Sequence, residues 1–306
     1  MEGTVRHAGY RSNCLESNNI HIQDPSIPLL PAIKLHWTRL SHLAPKTPKP
    51  PPDTVALAIS ELEKLGLECT EPKVVGFLGK HIFPGVWGGP LAQGLASRAA
   101  APMDRHLLPR HPAAQSQVQQ PWPDILYGYS EAAFTPEQRQ TLKPLYPKAP
   151  FNLLLPFLAV ECKAAAGTGG SLWAATNQCA GASTACLQAA AYLNTALTDV
   201  GRNASRVSNV CHSVAVDNHL AFLYVSWMDD EGHFYMQRVD FFCLLRPHDF
   251  VRFQQHIQAI LKWGAETRLD GLRSALDEIA KARREEETED KDEPKRKRRR
   301  MGAWAR

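Results

Sequence analysis

The chain has 306 residues, is 44% hydrophobic and carries a formal net charge of +4, which allows one large core or two modest ones. No run of about 18 apolar residues is present to cross a membrane, and the polar amino terminus lacks the apolar stretch of a secretory signal. Seven cysteines, an odd number without a CxxC pair, argue for reduced thiols and against a structural zinc site. The charge is uneven: residues 285–306 hold seven acids and eight bases, leaving 24 acids and 27 bases in the body. Any basic surface on the body must therefore be local.

Residues 1–52 are rich in proline and polar residues, end in "PKTPKPPP", and read as an irregular or disordered leader with a polyproline-like spacer. Asp53 is placed to cap a helix over "TVALAISELEKLG", with Val55, Leu57, Ile59, Leu62 and Leu65 on its apolar face and Gly66 at its end. Over 67–120 the pattern suggests a strand at "KVVGFLG", a helix at "PLAQGLASRAAAPMDRHLL" and a loop at "PRHPAAQSQVQQPWP".

From Pro123 the signals sharpen. "DILYGYS" predicts a strand, residues 135–150 a proline-bounded insert with one helical turn, and "FNLLLPFLAVECK" a buried strand. Gly167, Gly169 and Gly170 form a turn with Ser171 as a cap, and a long helix of small residues follows from "LWAATNQCAGA". "CHSVAVDNHLAFLYVSW" reads as a strand pair, "HFYMQRVDFFCLL" as a further strand, and two helices close the body at "HDFVRFQQHIQAILKW" and "ETRLDGLRSALDEIAKARR". The expected class is α/β with carboxy-terminal helices, occupying residues 53–284 and best supported over 120–280. Residues 285–306 read as a charged disordered tail.

The chemistry gathers around "PFLAVECK". Glu161 and Lys163 lie two apart at the end of an apolar strand and so share one face. Asp124 opens the strand before it. If the two strands are neighbours, Asp124 and Glu161 meet, and two carboxylates there need a cation; hard oxygen ligands suit Mg²⁺ or Mn²⁺. Lys163 is placed to orient a water or to stabilise charge on a phosphate, and Gln178, about two turns into the next helix, to face back toward them. The bland alternatives are a plain ion pair between Glu161 and Lys163 and a turn role for Asp124. "GTGG" lacks the ending of a phosphate loop. His212 and His219 read as packing or solvent-facing groups, Trp173, Trp227 and Trp263 as core anchors, and the sequon Asn203-Ala204-Ser205 as chance.

Pro123-Asp124, Glu161-Cys162-Lys163 and Asn177-Gln178 resemble the motifs of the PD-(D/E)xK nuclease superfamily. The blocks "PWPDILYGYS", "PFLAVECKAA", "WAATNQCAGA", "AFLYVSW" and "ILKWGAETRLDGL" resemble its fungal nuclease-like branch of unassigned role. The resemblance implies a restriction-endonuclease-like core of helix, three strands, helix and strand, here with an extra strand hairpin and C-terminal helices. It implies Asp124 and Glu161 as ligands of Mg²⁺ or Mn²⁺, Lys163 as the water-orienting residue, Gln178 on the second core helix, and an acid on the first helix, for which Glu61 or Glu63 is in range.

The leading expectation is a metal-dependent nuclease that hydrolyses nucleic-acid phosphodiester bonds. Its rivals are a catalytically silent module of the same fold that binds nucleic acid or a protein partner in the nucleus, and an accessory scaffold protein of a fungal pathway. The run Lys295, Arg296, Lys297, Arg298, Arg299, Arg300 reads as a signal for a nuclear import receptor or a nucleic-acid tether, with the nucleus the expected location and the cytoplasm the second choice. No membrane partner is expected.

Overall fold

The computed structural model describes residues 4–66, 70–86, 91–114, 116–146, 152–165, 171–201 and 207–303, with the side chains of the last helix described as far as Glu286. The leader is folded, against expectation. A π-helical turn (Arg11–Leu15) and a 3-10 turn (Glu16–Asn18) lead into β1 (Ile20–Gln23), and α1 (Pro31–Leu43) follows. Distant contacts order this segment. Tyr10, Leu15, Ile20 and Leu40 are buried in the main core, the Tyr10 hydroxyl accepts from the Gln119 N–H at 3.1 Å, and Asn18 donates to the Cys14 and Ser116 carbonyls. Local composition carries no trace of partners so far along the chain.

α2 (Pro52–Leu65) starts with Pro52 in its first turn, so Asp53 is not the cap; it lies inside that turn, where the helix dipole favours an acid. Val55, Ala58, Ile59 and Leu62 form the buried stripe, while Leu57 is 72% exposed. The strand expected at "KVVGFLG" is instead α3 (Glu71–His81), which buries Val74, Phe77 and Leu78 at helical spacing. The helix expected over 90–108 is replaced by β2 (Leu95–Ala99) and a 3-10 turn at Arg105–Leu107. Left-handed residues bound β2, Gly94 at φ 88° and Ala100 at φ 46°, and five register pairs with the next strand override the helical preference of its alanines.

The remaining elements follow the expected order: β3 (Ile125–Tyr129), α4 (Pro136–Leu142), β4 (Leu154–Cys162), α5 (Leu172–Asp199), β5 (Val210–Val216), β6 (Leu220–Met228), β7 (Phe234–Cys243), α6 (Pro247–Trp263), a π-helical turn (Gly264–Arg268) and α7 (Leu269–Ala303). Thr135 and Gln138 cap α4 reciprocally. Ser171 stands at the N-cap of α5, but its hydroxyl makes no capping bond. The turn glycines 167, 169 and 170 and the sequon at 203–205 lie outside the described residues. α7 runs on to Ala303, so the tail expected as disordered continues as helix, built largely from good helix formers. The side chains of Lys295 to Arg300 lie outside those described.

The strands form one sheet in the order β1-β7-β6-β5-β4-β3-β2. β3 runs antiparallel to both of its neighbours, β2 and β4, and β4 pairs parallel with β5 after the crossover through α5. The β6–β7 hairpin continues the sheet, and β1 closes it parallel to β7. α5 lies on one face, its long run of buried alanines allowing close approach; Thr176 meets the Tyr224 hydroxyl on β6 at 2.9 Å. α1 and α6 cover the other face, where His36 and His212 meet at 3.0 Å beside Trp263. Gly128 in β3 has no room for a side chain: a Cβ there would lie 2.6 Å from the Leu154 carbonyl oxygen, at the register shift between β3 and β4. No described helix is long and apolar enough to cross a membrane.

Candidate active site

The interior strand β4 is buried along nearly its whole length and delivers Glu161 and Lys163 at its carboxy-terminal end. Ile125 pairs with Val160, so Asp124, one residue earlier on the antiparallel neighbour, lies opposite Glu161 and on the same face. The Asp124 Oδ2 accepts from the Cys162 N–H at 2.6 Å, which fixes the carboxylate at the strand edge. The Lys163 Nζ donates to its neighbour's carbonyl, Cys162 O, at 2.7 Å, and lies 3.4 Å from Glu71 Oε1 at the start of α3. The strands therefore bring together the two acids and the lysine singled out from the sequence.

Burial sets the electrostatics. Glu161 is 1% exposed, and its carboxyl is pushed well above the usual range, first by loss of water, then by the Asp124 charge and by Glu71, with Lys163 offsetting in part. Asp124 is raised to about 6, again chiefly by burial and further by Glu71, against the lowering effects of the Cys162 N–H and Lys163. Both carboxyls are thus held above the ordinary carboxylate range by burial and by the charge of neighbouring acids. Glu161 Oε1 has no hydrogen-bond partner among the described residues, and neither does Gln178 Oε1. Cys179 on α5 packs toward the cluster, its buried thiol raised first by burial and further by Glu161; Gln178, the next residue back, is turned about 100° from it on the helix, and no hydrogen bond joins it to Asp124, Glu161 or Lys163 among the described residues. The unpaired Glu161 oxygen beside the Asp124 carboxylate is a donor pair of the kind a hard divalent cation takes.

Asn177, the first half of the "NQ" pair, serves another purpose. It accepts from Arg11 Nε at 2.8 Å and donates to the Val5 carbonyl at 2.9 Å, tying the amino-terminal segment to α5. Neither candidate for the first-helix acid reaches the site. Glu61 bonds Lys80 and His81, each at 2.9 Å, on the surface of α2 and α3, and Glu63 is exposed. Glu71 is the acid that faces Lys163. The signal for it is Thr70-Glu71-Pro72, a helix start, followed by Val74, Phe77 and Leu78.

A second acidic group lies in the β6–β7 turn, where Asp229, Glu231 and His233 bring ligand-type atoms within 4.8 Å of one another. Its atoms already have partners: Asp229 accepts from the Glu231 N–H, the His233 N–H and the Tyr235 hydroxyl. Trp227 and Trp263 are buried as expected, and the expected core residue Trp173 is instead half-buried, with Arg11 stacked 5.0 Å above its ring.

Fold and site together define a mixed α/β protein that gathers two acids and a lysine at the end of the interior strand β4. The chain belongs to the family described as a domain of unknown function, DUF7924, whose pattern matches residues 59–276, from within α2 to within α7. No match was found among curated proteins or among solved structures.

Proposed function

We propose that the protein is a divalent-metal-dependent nuclease with a restriction-endonuclease-like core. The observation that carries this reading is the pairing of Asp124 and Glu161 across neighbouring strands with Lys163 on the same face. With the short α4 inserted between β3 and β4, the order α3, β2–β3–β4, α5, β5 supports it, matching the helix, three strands, helix and strand that the motif resemblance implies.

In this reading Asp124 and Glu161 hold Mg²⁺ or Mn²⁺. When bound, the cation supplies Lewis-acid charge and lowers the pKa of its water. Lys163, held by the Cys162 carbonyl and Glu71, points its ammonium where charge develops on a phosphodiester and positions the attacking water. Gln178 offers its unpaired carbonyl oxygen to the same water or to Lys163. The basic run at 295–300 serves nuclear import. Deletion of residues 294–306 tests that part by shifting a tagged protein from nucleus to cytoplasm.

The test of the enzyme is cleavage of end-labelled DNA and RNA, single- and double-stranded, in Mn²⁺ or Mg²⁺ against a chelator control. Metal-dependent cleavage that vanishes in Glu161→Gln supports the reading; cleavage that persists in Glu161→Gln and Asp124→Asn removes it from this site. One observation favours a silent binding module of the same fold: Glu161 and Lys163 are only 1% and 5% exposed. That module gives a mobility shift with nucleic acid and no cleavage in either metal.

A further inference from the structure

On the α5 face of the sheet, a groove with a volume of about 390 Å³ opens between the first turns of α5, β1 and the β6–β7 hairpin. Two arginines in its walls lie over aromatic rings. Arg11 Cζ is 5.0 Å from the centre of Trp173. Arg238 Cζ is 5.0 Å from Phe222 and 5.9 Å from Phe241. Asp24 is the one acid among the described residues that line it, and its Oδ1 accepts from the Ser26 N–H and hydroxyl at 2.8 and 2.7 Å. Phe241, pointing outward beside the groove, is 59% exposed.

The groove is in register with the carboxylates. Glu161 pairs with Ala215, Ala215 with Phe222, and Phe222 with Phe241. One cross-strand row thus runs from the acid to the aromatic wall, and Phe222 sits two strands from Glu161, roughly 10 Å away at the usual strand spacing.

We infer that this groove binds single-stranded nucleic acid, with unpaired bases stacking on Phe222 and Phe241 and phosphates meeting Arg11 and Arg238. Flat aromatic faces interleaved with guanidinium groups are what unstacked bases and their backbone require. A duplex keeps its bases stacked on one another and offers these rings nothing. The inference deepens the nuclease reading by naming its substrate as a single strand or a single-stranded end, and rests on that reading only for the cleavage of the bound strand.

The test uses the full chain in a metal chelator, with a fluorescein-labelled twelve-residue oligothymidylate followed by anisotropy at about 0.2 M salt. Phe241→Ala removes an exposed ring and Arg238→Gln a guanidinium; circular dichroism and melting establish that each variant is folded. Each weakens binding about tenfold, in line with the loss of one stacked base or one charge contact. Arg238→Gln also lowers the salt slope, and a twelve-base-pair duplex binds more weakly than the single strand. Unchanged affinity in both folded variants overturns the inference, as does preference for the duplex, equal displacement by polyglutamate, or no binding by the wild type. Glu161→Gln separates the two readings, since it stops cleavage and leaves oligothymidylate affinity intact. Binding without cleavage in any metal sinks the nuclease reading and leaves the groove standing; metal-dependent cleavage with unaltered binding in the groove variants does the reverse.

Discussion

Two acidic clusters on one sheet show how differently the same side chains behave. In the β6–β7 turn, Asp229 is held below its ordinary pKa: hydrogen bonds from the His233 N–H and ring, the Tyr235 hydroxyl and the Glu231 N–H outweigh the cost of partial burial. At the end of β4, Asp124 and Glu161 are pushed above theirs, because burial outweighs one N–H and one lysine. The turn cluster has spent its acceptors on its own backbone and serves as a cap. The β4 cluster keeps buried oxygen atoms without partners among the described residues. Such buried oxygens cost stability unless something completes them, and in the proposed reading a divalent cation does so.

The largest expected effect comes from that contrast. In the proposed reading Glu161→Gln and Asp124→Asn each remove a ligand while keeping volume, and are expected to lower a metal-dependent cleavage rate by about a hundredfold or more. Asp229→Asn leaves the rate at the wild-type level. Rates on an end-labelled oligonucleotide in Mn²⁺ decide it, and loss of activity in Asp229→Asn with full activity in Glu161→Gln would invert the assignment.

Stability against pH gives the next largest effect. Asp124 keeps its proton up to about 6 when folded, against an ordinary value of 3.8 when unfolded. Between those values unfolding releases a proton, so stability falls as pH rises through the window and levels off above it. A difference of that size corresponds to about 3 kcal/mol at most. Asp124→Asn, whose amide oxygen still accepts from Cys162, removes this slope and melts higher than the wild type at pH 7 without metal. Manganese affinity measured by calorimetry rises with pH over the same range and is accompanied by proton release. A flat wild-type profile between pH 4 and 6 would mean that water already reaches the pair.

How much of the molecule is legible in its sequence depends on where each element draws its stability. β4 announces itself by an unbroken apolar run, α5 by its alanines, and Asp124, Glu161 and Lys163 by their places at strand ends. α3 is hidden because two valines and two glycines give it poor helix propensity; it forms by docking Val74, Phe77 and Leu78, and Glu71 is hidden with it. β2 is hidden for the opposite reason, since its alanines favour a helix and only pairing with β3 makes it a strand. The folded leader depends on Gln119, Ser116 and Asn177, which lie about a hundred residues or more away in sequence.

Lys163 sharpens the comparison further. Arginine in its place keeps the charge but replaces a compact ammonium by a planar fork in a site 5% exposed. The rate drops about tenfold through mispositioned water, while manganese affinity stays at the wild-type value because no ligand is lost. Glu71→Gln acts in the same direction and more weakly, since it frees the lysine head without removing it. If Lys163→Arg abolished metal binding in a folded protein, the lysine would be organising the carboxylates rather than the water.

The smallest effect belongs to the turn. Asp229→Ala removes the acceptor for two backbone N–H groups and the Tyr235 hydroxyl, and costs about 1 kcal/mol, as the loss of a local cap does. Because the folded Asp229 lies below its ordinary pKa, its contribution is present above the unfolded value and disappears as pH falls through the folded one. Its pH dependence is thus opposite in sign to that of Asp124. Melting curves of the two single variants between pH 3 and 7 should diverge from the wild type in opposite senses: Asp229→Ala loses stability most at neutral pH, where Asp124→Asn gains most. A double variant should show the two effects adding, since the residues share no hydrogen-bond partner among those described. If Asp229→Ala raised the melting temperature at neutral pH, the turn would hold uncompensated charge after all, and the distinction between a capping cluster and a ligating one would fail.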